Sequence, residues 1–311
     1  MCYSAQAWQD YKKFQRETDS PLSIKEYVKF FWDWKEKGSP YRIPKAMMDA
    51  FSHPTTEDER KIHGWIEEWK AQESNSLEQE LFKQKKRLAD AERTLQTKTT
   101  KKAENDQRIA TNKIGQLKSK IDDLKRTKPL PRDSRFFPQN YCTVLASENG
   151  ERFVAPMRYG CRPAGKPAKN DILYPGTYNA RRDSLGGYWK NTFGYSHGLI
   201  IAETFYENVE GAEGKNQVLQ FTPRDGSLMY VACLWSRWTD PKGVEPDLLS
   251  FAAITDDPEP EVAAAGHDRT IINIKPEHID AWLNPDPNNL DALYAIFDDK
   301  QHPYYEHRLA A

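Results

Sequence analysis

The chain has 311 residues, of which 38% are hydrophobic and 12% aromatic, and this content suits a packed globular protein with one large or two ordinary domains. Its net charge is only −1, so the overall charge does not indicate a nucleic-acid-binding protein. No apolar run approaches the roughly 18 residues that a membrane span needs, and no secretory signal opens the chain, so we predict a cytoplasmic protein without membrane attachment.

The first feature along the chain is the cysteine at position 2, in the stretch MCYSAQAW. Removal of Met1 would give Cys2 a free α-amine beside its thiol, which is a nucleophile with a built-in base. The alternative is that a cysteine stands at this position by chance. The other cysteines, Cys142, Cys161 and Cys233, form no CxxC pair, so we expect no zinc site and three reduced core residues.

Three amphipathic helices are predicted in the N-terminal part of the chain. Residues 23–37 carry apolar side chains at helical spacing, and a glycine follows them. Residues 44–51 suit a short helix that begins with a proline. The third helix covers residues 55–70, with Thr55 or Thr56 as its N-cap and acidic residues in its first turn.

Residues 76–128 carry two apolar stripes surrounded by charged side chains. Fifteen Lys or Arg and six Asp or Glu lie between positions 83 and 128, so the segment is basic. We predict two helices of about twenty residues each that fold as an antiparallel coiled-coil hairpin; one long bent helix is the alternative, because no Gly or Pro marks a turn. The facing positions are Leu77, Leu81, Leu88, Leu95, Ile114, Leu117, Ile121 and Leu124.

After Pro131 the chain changes to short β-rich runs that are separated by turn signals such as ENGE, PRDG and TDPKG. The pattern predicts an α+β fold whose β-rich domain is a barrel or two packed sheets, with short helices near the C-terminal end. A second, smaller basic zone covers residues 135–184. The predicted strands lie at 141–147, 152–157, 198–205, 217–222, 228–235, 248–255 and 270–275.

Four motifs in the β-rich region carry polar groups that are typical of catalytic or ligand-binding sites. Each motif also fits a structural role: a turn-forming Asn, a paired carboxylate, a solvated acidic loop or a buried His. Taken one by one, the structural roles are the simpler interpretation. The motifs are YNARRDS with Asn179 and Arg181, ETFYEN with Glu207, ITDDPEP with Thr255, and GHDRT with His267 and Arg269.

Taken in chain order, these motifs resemble the SOS-response-associated peptidase (SRAP) family, also called abasic-site processing proteins. The resemblance rests on Cys2, the Asn-Ala-Arg at 179–181, the Tyr-Glu at 206–207 and the His-Asp-Arg at 267–269, and it includes the segment VAPMRYGCRP.

The resemblance covers residues 1–19 and 131–311, which we expect to form one discontinuous catalytic domain. Residues 20–130 are then a helical insertion that contains the hairpin of residues 76–128. For this hairpin we weigh three roles: a solvated spacer, a basic arm that touches DNA, and a surface that recruits a protein partner.

The family resemblance implies a β-rich fold built around Cys2 and a covalent cross-link to abasic sites in single-stranded DNA. An abasic deoxyribose opens to an aldehyde, the α-amine forms a Schiff base with it, and the neighbouring thiol closes a thiazolidine ring. The same site would remove Met1 by autoproteolysis. The resemblance further implies no metal and no cofactor, and a location in bacterial or phage-type cytosol near the nucleoid. The implied catalytic residues are Cys2, Asn179, Glu207 and His267, and the implied DNA contacts are Arg181, Arg269 and Arg162.

The chain departs from the family pattern at several positions. Tyr3 and Ser4 stand where the family has Gly-Arg, and Tyr159 stands where it has a tryptophan. Asn208, which follows Glu207, stands where the family has a second tryptophan. Such tryptophans stack on unpaired bases. The alternatives are therefore a divergent SRAP-fold peptidase or interaction scaffold with little cross-linking activity, and an unrelated amidohydrolase with an N-terminal nucleophile. Convergence of the four catalytic residues in space would distinguish these hypotheses.

Overall fold

The structure, a computed structural model, describes residues 4–18, 24–37, 41–211 and 214–310. Within these ranges the protein has an α+β fold with a large sheet and a long helical region, which confirms the predicted fold class. The strands are β1 Ser4–Ala7, β2 Arg135–Phe136, β3 Tyr141–Glu148, β4 Glu151–Tyr159, β5 Asn179–Arg181, β6 His197–Glu210, β7 Asn216–Pro223, β8 Met229–Trp238, β9 Leu248–Asp256, β10 Thr270–Ile271 and β11 Tyr305–Leu309. The helices are α1 Tyr11–Thr18, α2 Lys25–Glu36, α3 Lys45–Asp49, α4 Glu57–Thr97, α5 Lys101–Lys125, α6 Asn170–Leu173, α7 Pro260–Ala264, α8 Ile279–Leu283 and α9 Leu290–Asp298.

All these strands belong to one sheet, in which most neighbouring strands are antiparallel. Strands β3, β4, β9, β8 and β6 pair in a cycle, in which β3 meets β6 over a short stretch at Leu145 and Ala146. The remaining strands extend from the cycle: β1 lies between β6 and β2, β7 between β6 and β11, and β5 and β10 beside β9. The sheet is therefore barrel-like, but it is not a strict barrel.

The short contact between β3 and β6 depends on Gly198. A Cβ atom at this position would lie 3.0 Å from the carbonyl oxygen of Leu145 and 3.2 Å from the Sγ of Cys233, so a side chain would force the strands apart. Cys142, Cys161 and Cys233 are buried free thiols, as the sequence predicts. Burial raises the pKa of Cys161 to about 12, which keeps this thiol protonated at neutral pH.

The N-terminal helices pack on the sheet through aromatic side chains. Helix α2 buries Tyr27, whose hydroxyl lies 2.9 Å from the Oγ1 of Thr143 on β3, and Phe30, whose ring centroid lies 4.6 Å from that of Tyr141. The apolar face that the sequence predicts for this helix is thus the face that meets the sheet.

The start of α4 is capped as the sequence predicts. The hydroxyl of Thr56 accepts a hydrogen bond of 3.2 Å from the backbone N–H of Glu59, and the Glu59 carboxylate accepts one of 2.6 Å from the backbone N–H of Thr55. These bonds satisfy donors that a helix end leaves without intrahelical partners.

Residues 60–129 form a compact unit by themselves, and the remaining described residues form the other unit. The domain limits expected from the sequence, with a helical insertion at 20–130, stay a prediction. Within the unit, α4 is one continuous helix, whereas the sequence predicts separate helices at 55–70 and from residue 76. The helix continues because no Gly or Pro interrupts residues 71–75, and because Ser74 and Asn75, which often end helices, bond to side chains one turn further along.

The chain turns between α4 and α5, so the alternative of one long bent helix is wrong. Thr100 caps α5 by accepting a hydrogen bond of 3.2 Å from the N–H of Ala103. Arg87 pairs with Asp106 at 2.5 Å and Lys125 pairs with Glu78 at 2.9 Å, so the two helices lie side by side and antiparallel. The regular coiled-coil packing of the two apolar stripes stays a prediction. Within residues 76–128 the buried apolar residues are Ala91, Ala103, Ala110, Leu117 and Ile121.

Candidate functional site

The centre of the candidate site is a buried pair formed by Glu207 and His267. The Oε2 atom of Glu207 lies 3.3 Å from the Nε2 atom of His267, and the two side chains are 1% and 8% exposed. Glu207 lies near the end of β6, where the alternation of the strand directs it inward, and His267 lies just before β10. The fold thus joins two motifs that are 60 residues apart in the sequence.

The position of His267 depends on the turn that ends α7. Gly266 has a φ of +92°, which is in the left-handed region that favours glycine, and it directly follows the last turn of the helix. The backbone N–H of His267 then donates a hydrogen bond of 3.2 Å to the carbonyl oxygen of Val262. The Gly-His sequence therefore turns the chain from α7 into β10 and presents the imidazole to Glu207.

The hydrogen bonds around His267 indicate where its proton lies. Its Nδ1 atom is 2.9 Å from the carbonyl oxygen of Arg269 and 3.3 Å from the backbone nitrogen of the same residue, and the shorter contact, to an atom that only accepts, favours the proton on Nδ1. Burial lowers the pKa of His267, which favours the neutral ring. The lone pair of Nε2 then faces Oε2 of Glu207 at 3.3 Å, so a proton carried by either atom can pass to the other. This arrangement can donate and accept a proton at one point.

Asn179 is held by Tyr159. The Tyr159 hydroxyl donates a hydrogen bond of 3.1 Å to the Oδ1 of Asn179, and this tyrosine is 1% exposed and stacks on Phe251 with ring centroids 5.1 Å apart. Tyr159 is therefore closed to a DNA base, which corrects the comparison with a base-stacking tryptophan. Its role in this fold is to orient the Asn179 amide.

A cavity of about 460 Å³ brings together two of the implied DNA contacts, Arg181 and Arg269. Arg181 pairs with Asp183 at 2.8 Å and Arg269 with Asp268 at 3.3 Å, and both acidic partners are mostly exposed. Arg181 lies opposite Thr255 in the pairing of β5 with β9. The residues that line the cavity are Arg181, Arg182, Asp183, Thr255, Asp256, Asp257, Arg269 and Tyr294.

Two buried polar atoms in this cavity wall have no hydrogen-bond partner within the described parts of the chain. They are the Oγ1 of Thr255, a residue that is 1% exposed, and the Nε of Arg269. Buried polar groups in native proteins are nearly always hydrogen-bonded, so these two atoms indicate a place for an oxygen-rich ligand.

Arg162, the third implied DNA contact, is held in the protein interior. It is 8% exposed, it makes a two-pronged ion pair with Asp171 at 3.1 and 2.5 Å, and its guanidinium lies 4.3 Å from the Trp238 ring centroid. Burial alone would raise the pKa of Asp171, but the hydrogen bonds from Arg162 and Arg158 lower it. This placement does not favour a DNA contact for Arg162, because a phosphate would have to displace Asp171.

Cys2 lies outside the described residues. The nearest described residue in the sequence is Ser4, the first residue of β1, which lies opposite Tyr206 on β6. Tyr206 directly precedes Glu207. The hydroxyl of Ser4 accepts a hydrogen bond of 3.0 Å from the Nε of Arg135, and the Arg135 guanidinium lies 3.5 Å from the centroid of the Tyr206 ring.

Three residues around the site are not singled out by the sequence analysis. Arg135 lies in the two-residue strand β2, which has no strand signal of its own, and it lies beside Ser4, where the family has an arginine. Arg182 lines the cavity and pairs with Asp256 at 3.2 Å and with Asp298. For Tyr294, on α9, no signal in the sequence points to the cavity.

The described ranges contain neither a metal-binding cluster nor a helix that could span a membrane. No group of three or more His, Cys, Asp or Glu residues is arranged there to hold a metal ion. None of the helices in those ranges is both long and apolar enough to cross a membrane.

Solved structures resemble part of this chain. A protein from Bordetella bronchiseptica is 21% identical, with a TM-score of 0.46 over 57% of this chain and 87% of that chain. A protein from Bacteroides thetaiotaomicron is 15% identical, with a TM-score of 0.49 over 57% and 78% of the two chains. A phage-related protein from Bordetella bronchiseptica is 19% identical, with a TM-score of 0.42 over 60% and 84%. No curated protein matches the sequence.

One protein family matches most of the chain. The sequence profile of the family described as "SOS response associated peptidase (SRAP)" matches residues 92–308. This range contains Asn179, Glu207 and His267, and it begins within α4, so it does not include Cys2. Because the match covers more than half of the sequence, the chain belongs to the SOS response associated peptidase (SRAP) family, and this membership supports a general role in SOS-associated processing of abasic sites.

Proposed function

We propose that this protein recognises abasic sites in single-stranded DNA and links them covalently to Cys2. The observation that carries the proposal is the buried contact of 3.3 Å between Glu207 and His267. Schiff-base formation needs a group that gives a proton to the leaving hydroxyl and takes one from the attacking amine. A carboxyl and an imidazole that share one proton supply both functions at one point.

The proposed reaction joins the terminal cysteine to the open aldehyde form of the abasic sugar. The α-amine of Cys2 adds to the aldehyde carbon, and the resulting carbinolamine loses one water to give a Schiff base. The thiol then adds to the same carbon while its proton passes to nitrogen, which closes a five-membered thiazolidine. The overall change is one C–N and one C–S bond formed and one water released. Ring closure is intramolecular, so it gains a high effective concentration.

Covalent geometry supports the participation of Cys2. Two peptide units separate Cys2 from Ser4, and consecutive Cα atoms are about 3.8 Å apart, so the two Cα atoms are at most about 7.6 Å apart. Ser4 lies opposite Tyr206, the residue before Glu207. The described residue nearest to Cys2 in the sequence thus lies at the end of β6 that carries the carboxyl group.

The cavity of Arg181 and Arg269 is the proposed phosphate site. The two guanidinium groups, which include the buried Nε of Arg269, and the hydroxyl of Thr255 offer donors to the non-bridging oxygens of a phosphodiester. In the structure, the two arginines form ion pairs with the exposed side chains of Asp183 and Asp268. DNA phosphates would replace these carboxylates at little cost, since an exposed ion pair contributes only about 0–1 kcal/mol to stability. Arg162 is not part of this site.

Autoproteolytic removal of Met1 is the second activity that we propose for the same groups. The Cys2 amine is free only after the Met1–Cys2 peptide bond has been hydrolysed. The Cys2 thiol would attack the Met1 carbonyl, the Glu207–His267 pair would give a proton to the leaving amine, and water would release the acyl group. A protein with Met1 retained should therefore form no adduct.

The alternative is a divergent SRAP-fold peptidase or scaffold with little cross-linking activity. One observation favours this alternative: Tyr3 and Ser4 follow Cys2 in this chain, whereas Gly-Arg follows the cysteine in the family. The deciding experiment mixes the purified protein with single-stranded DNA that contains one abasic site and looks for a heat-stable adduct. Its mass should equal protein plus DNA minus one water. Cys2→Ala lacks the thiol that both opens the Met1–Cys2 peptide bond and closes the thiazolidine, so it should give no heat-stable adduct. An unchanged adduct with Cys2→Ala would exclude the thiazolidine.

A further inference from the structure

The helical unit of residues 60–129 has an uneven charge distribution that the chemistry at Cys2 does not explain. Residues 60–82 contain five acidic and three basic residues, whereas residues 83–113 contain four acidic and ten basic residues. The net charge therefore changes sign along α4. The basic part contains the turn at 98–100 and the adjoining halves of both helices, so it is a basic tip.

An open groove of about 580 Å³ lies between α4 and α5 in this basic tip. Its α4 wall extends from Lys83 to Thr94, which is about 16 Å along the helix at a rise of about 1.5 Å per residue. Ala91 and Ala103, which are both buried, line the groove as its apolar residues, and their small side chains leave space between the helices.

The carboxylates of the groove are neutralised, and of its three lysines only Lys83 has an acidic partner, Glu80 at 3.8 Å. Asp106 pairs with Arg87 at 2.5 Å, and Asp90 pairs with Arg93 at 3.3 Å. Lys86 on α4 and Lys102 on α5 both line the groove, and neither makes an ion pair with a carboxylate in the described part of the chain. The same holds for Lys85, Lys98, Lys101 and Lys113 on the exposed surface of the tip. The groove thus keeps an uncompensated positive charge.

We propose that this groove binds the phosphodiester backbone of single-stranded DNA without reading its sequence. The proposal rests on the proposed function in one respect, namely that DNA is the substrate. An acidic protein is the less suitable partner, because protein interfaces use large apolar or aromatic anchors, whereas the apolar lining residues of this groove are two alanines. Lysine ammonium groups on flexible stems suit phosphates of any sequence.

The test compares two double variants of the full-length protein that remove the same charge. Lys86→Gln with Lys102→Gln removes the groove lysines, and Lys118→Gln with Lys120→Gln removes two exposed lysines of α5 outside the groove. Glutamine and lysine have similar helix propensities, so both variants should fold. Binding of a long, mixed-sequence single-stranded DNA without abasic sites is measured by fluorescence anisotropy at several salt concentrations.

The groove variant should lose affinity at low salt, and the slope of log K against log salt should become shallower by about 1.4, or about 0.7 for each lost phosphate contact. Between about 50 and 200 mM salt, the binding constant of the wild-type protein should therefore fall by a factor roughly seven times larger than that of the groove variant. The α5 control should stay close to wild type. Equal losses in both variants, or no loss in either, would show that the groove is not a DNA site. Polyglutamate that binds the groove better than DNA does would also overturn the proposal.

A second readout separates this proposal from the proposed cross-link. The groove variant should form the heat-stable adduct on a short abasic oligonucleotide at the wild-type rate, because it keeps Cys2, Glu207 and His267. If the wild-type protein forms no adduct while the groove variant still loses DNA affinity, only the cross-linking proposal falls. If the adduct forms and both double variants bind long DNA like wild type, only the groove proposal falls.

Discussion

The hydroxyl of Tyr159 donates a 3.1 Å hydrogen bond to the amide oxygen of Asn179, and both residues are buried. An Asn side chain has two orientations that differ by exchange of its oxygen and nitrogen. In the observed orientation the Tyr159 hydroxyl donates to the amide oxygen, which leaves the NH₂ group to face elsewhere. The tyrosine therefore acts on the site through Asn179.

We expect Tyr159→Phe to slow adduct formation while the protein still folds. The loss of one buried hydrogen bond should lower the free energy of unfolding by about 1–2 kcal/mol, and the unrestrained amide should lower the rate. A double-mutant cycle with Asn179→Ala tests the link. In the Asn179→Ala background, Tyr159→Phe should have no further effect on the rate. A rate that falls by the same factor in both backgrounds would mean that Tyr159 acts independently of Asn179.

Glu207→Gln and His267→Ala should each slow adduct formation and Met1 removal by about 10²–10⁴-fold, the usual contribution of a general acid–base group. Circular dichroism and thermal melting should show a folded protein. The double variant should be little slower than either single variant, because the two residues share one proton and act as a unit. Full activity of Glu207→Gln would remove the carboxyl group from the mechanism.

The fold should lose stability in mild acid because of His197. Its Nε2 accepts a hydrogen bond of 2.9 Å from the N–H of Gly194, and its Nδ1–H donates one of 3.0 Å to the carbonyl of Trp282, so the buried ring is satisfied only when it is neutral. Burial lowers the pKa of His197 from 6.5 to about 3. Below pH 6.5 the unfolded chain binds the proton and the folded chain does not.

The contribution of His197 to stability is thus fully present above pH 6.5 and is lost as the pH falls toward 3, by up to about 1.4 kcal/mol per pH unit. His197→Phe should be less stable than wild type at pH 7, because the N–H of Gly194 loses its acceptor. The difference between the two proteins should shrink as the pH falls. Urea unfolding at several pH values measures it, and a constant difference would contradict this assignment.

Replacing Arg181 or Arg162 by glutamine should change different properties of the protein. Arg181→Gln should weaken binding to single-stranded DNA and make it less dependent on salt, because a phosphate contact releases counterions. Arg162→Gln should leave DNA affinity and its salt dependence unchanged but lower the melting temperature, because Asp171 loses its two-pronged partner. A loss of DNA affinity in a stable Arg162→Gln protein would restore Arg162 as a DNA contact.

Removal of most of the hairpin should leave the cross-link intact on a short oligonucleotide. Glu78 and Lys125 are joined by an ion pair of 2.9 Å, so a short flexible linker can replace residues 79–124 without stretching the chain. None of the proposed catalytic residues is removed. The shortened protein should form the adduct on a short abasic oligonucleotide at the wild-type rate. Loss of the adduct in a folded protein would mean that the hairpin belongs to the active site.

The sequence predicts the long strands well because each is a continuous apolar run with turn signals at its ends. The runs at 141–147, 152–157 and 248–255 are strands in the structure, extended by one or a few residues. Short strands have no such signal: β2 has two residues and β5 has three, and each exists because a neighbouring strand offers hydrogen-bond partners. Tertiary pairing, and not local preference, decides such segments.

The same distinction holds for the candidate site. The approach of Glu207 to His267 follows the order of motifs that the sequence displays, and the structure shows their contact. The interior position of Arg162 could not be predicted, because the partner that holds it, Asp171, lies in a loop-like stretch with no pattern of its own. The sequence shows an arginine; whether its guanidinium faces DNA or a buried carboxylate depends on packing.

The place of β1 in the sheet has a consequence for the newly made chain. Gln6 on this strand donates a hydrogen bond to the hydroxyl of Tyr206, a residue 200 positions later, and β1 lies between β6 and β2. At about 5–20 residues per second, a ribosome needs about 10–40 s to reach β6 after it has made β1. During this time the first strand has no partner on that side. The pairing of β1 with β6 therefore forms only after two thirds of the chain has been translated, and a product truncated before β6 carries the cysteine without the groups that would use it.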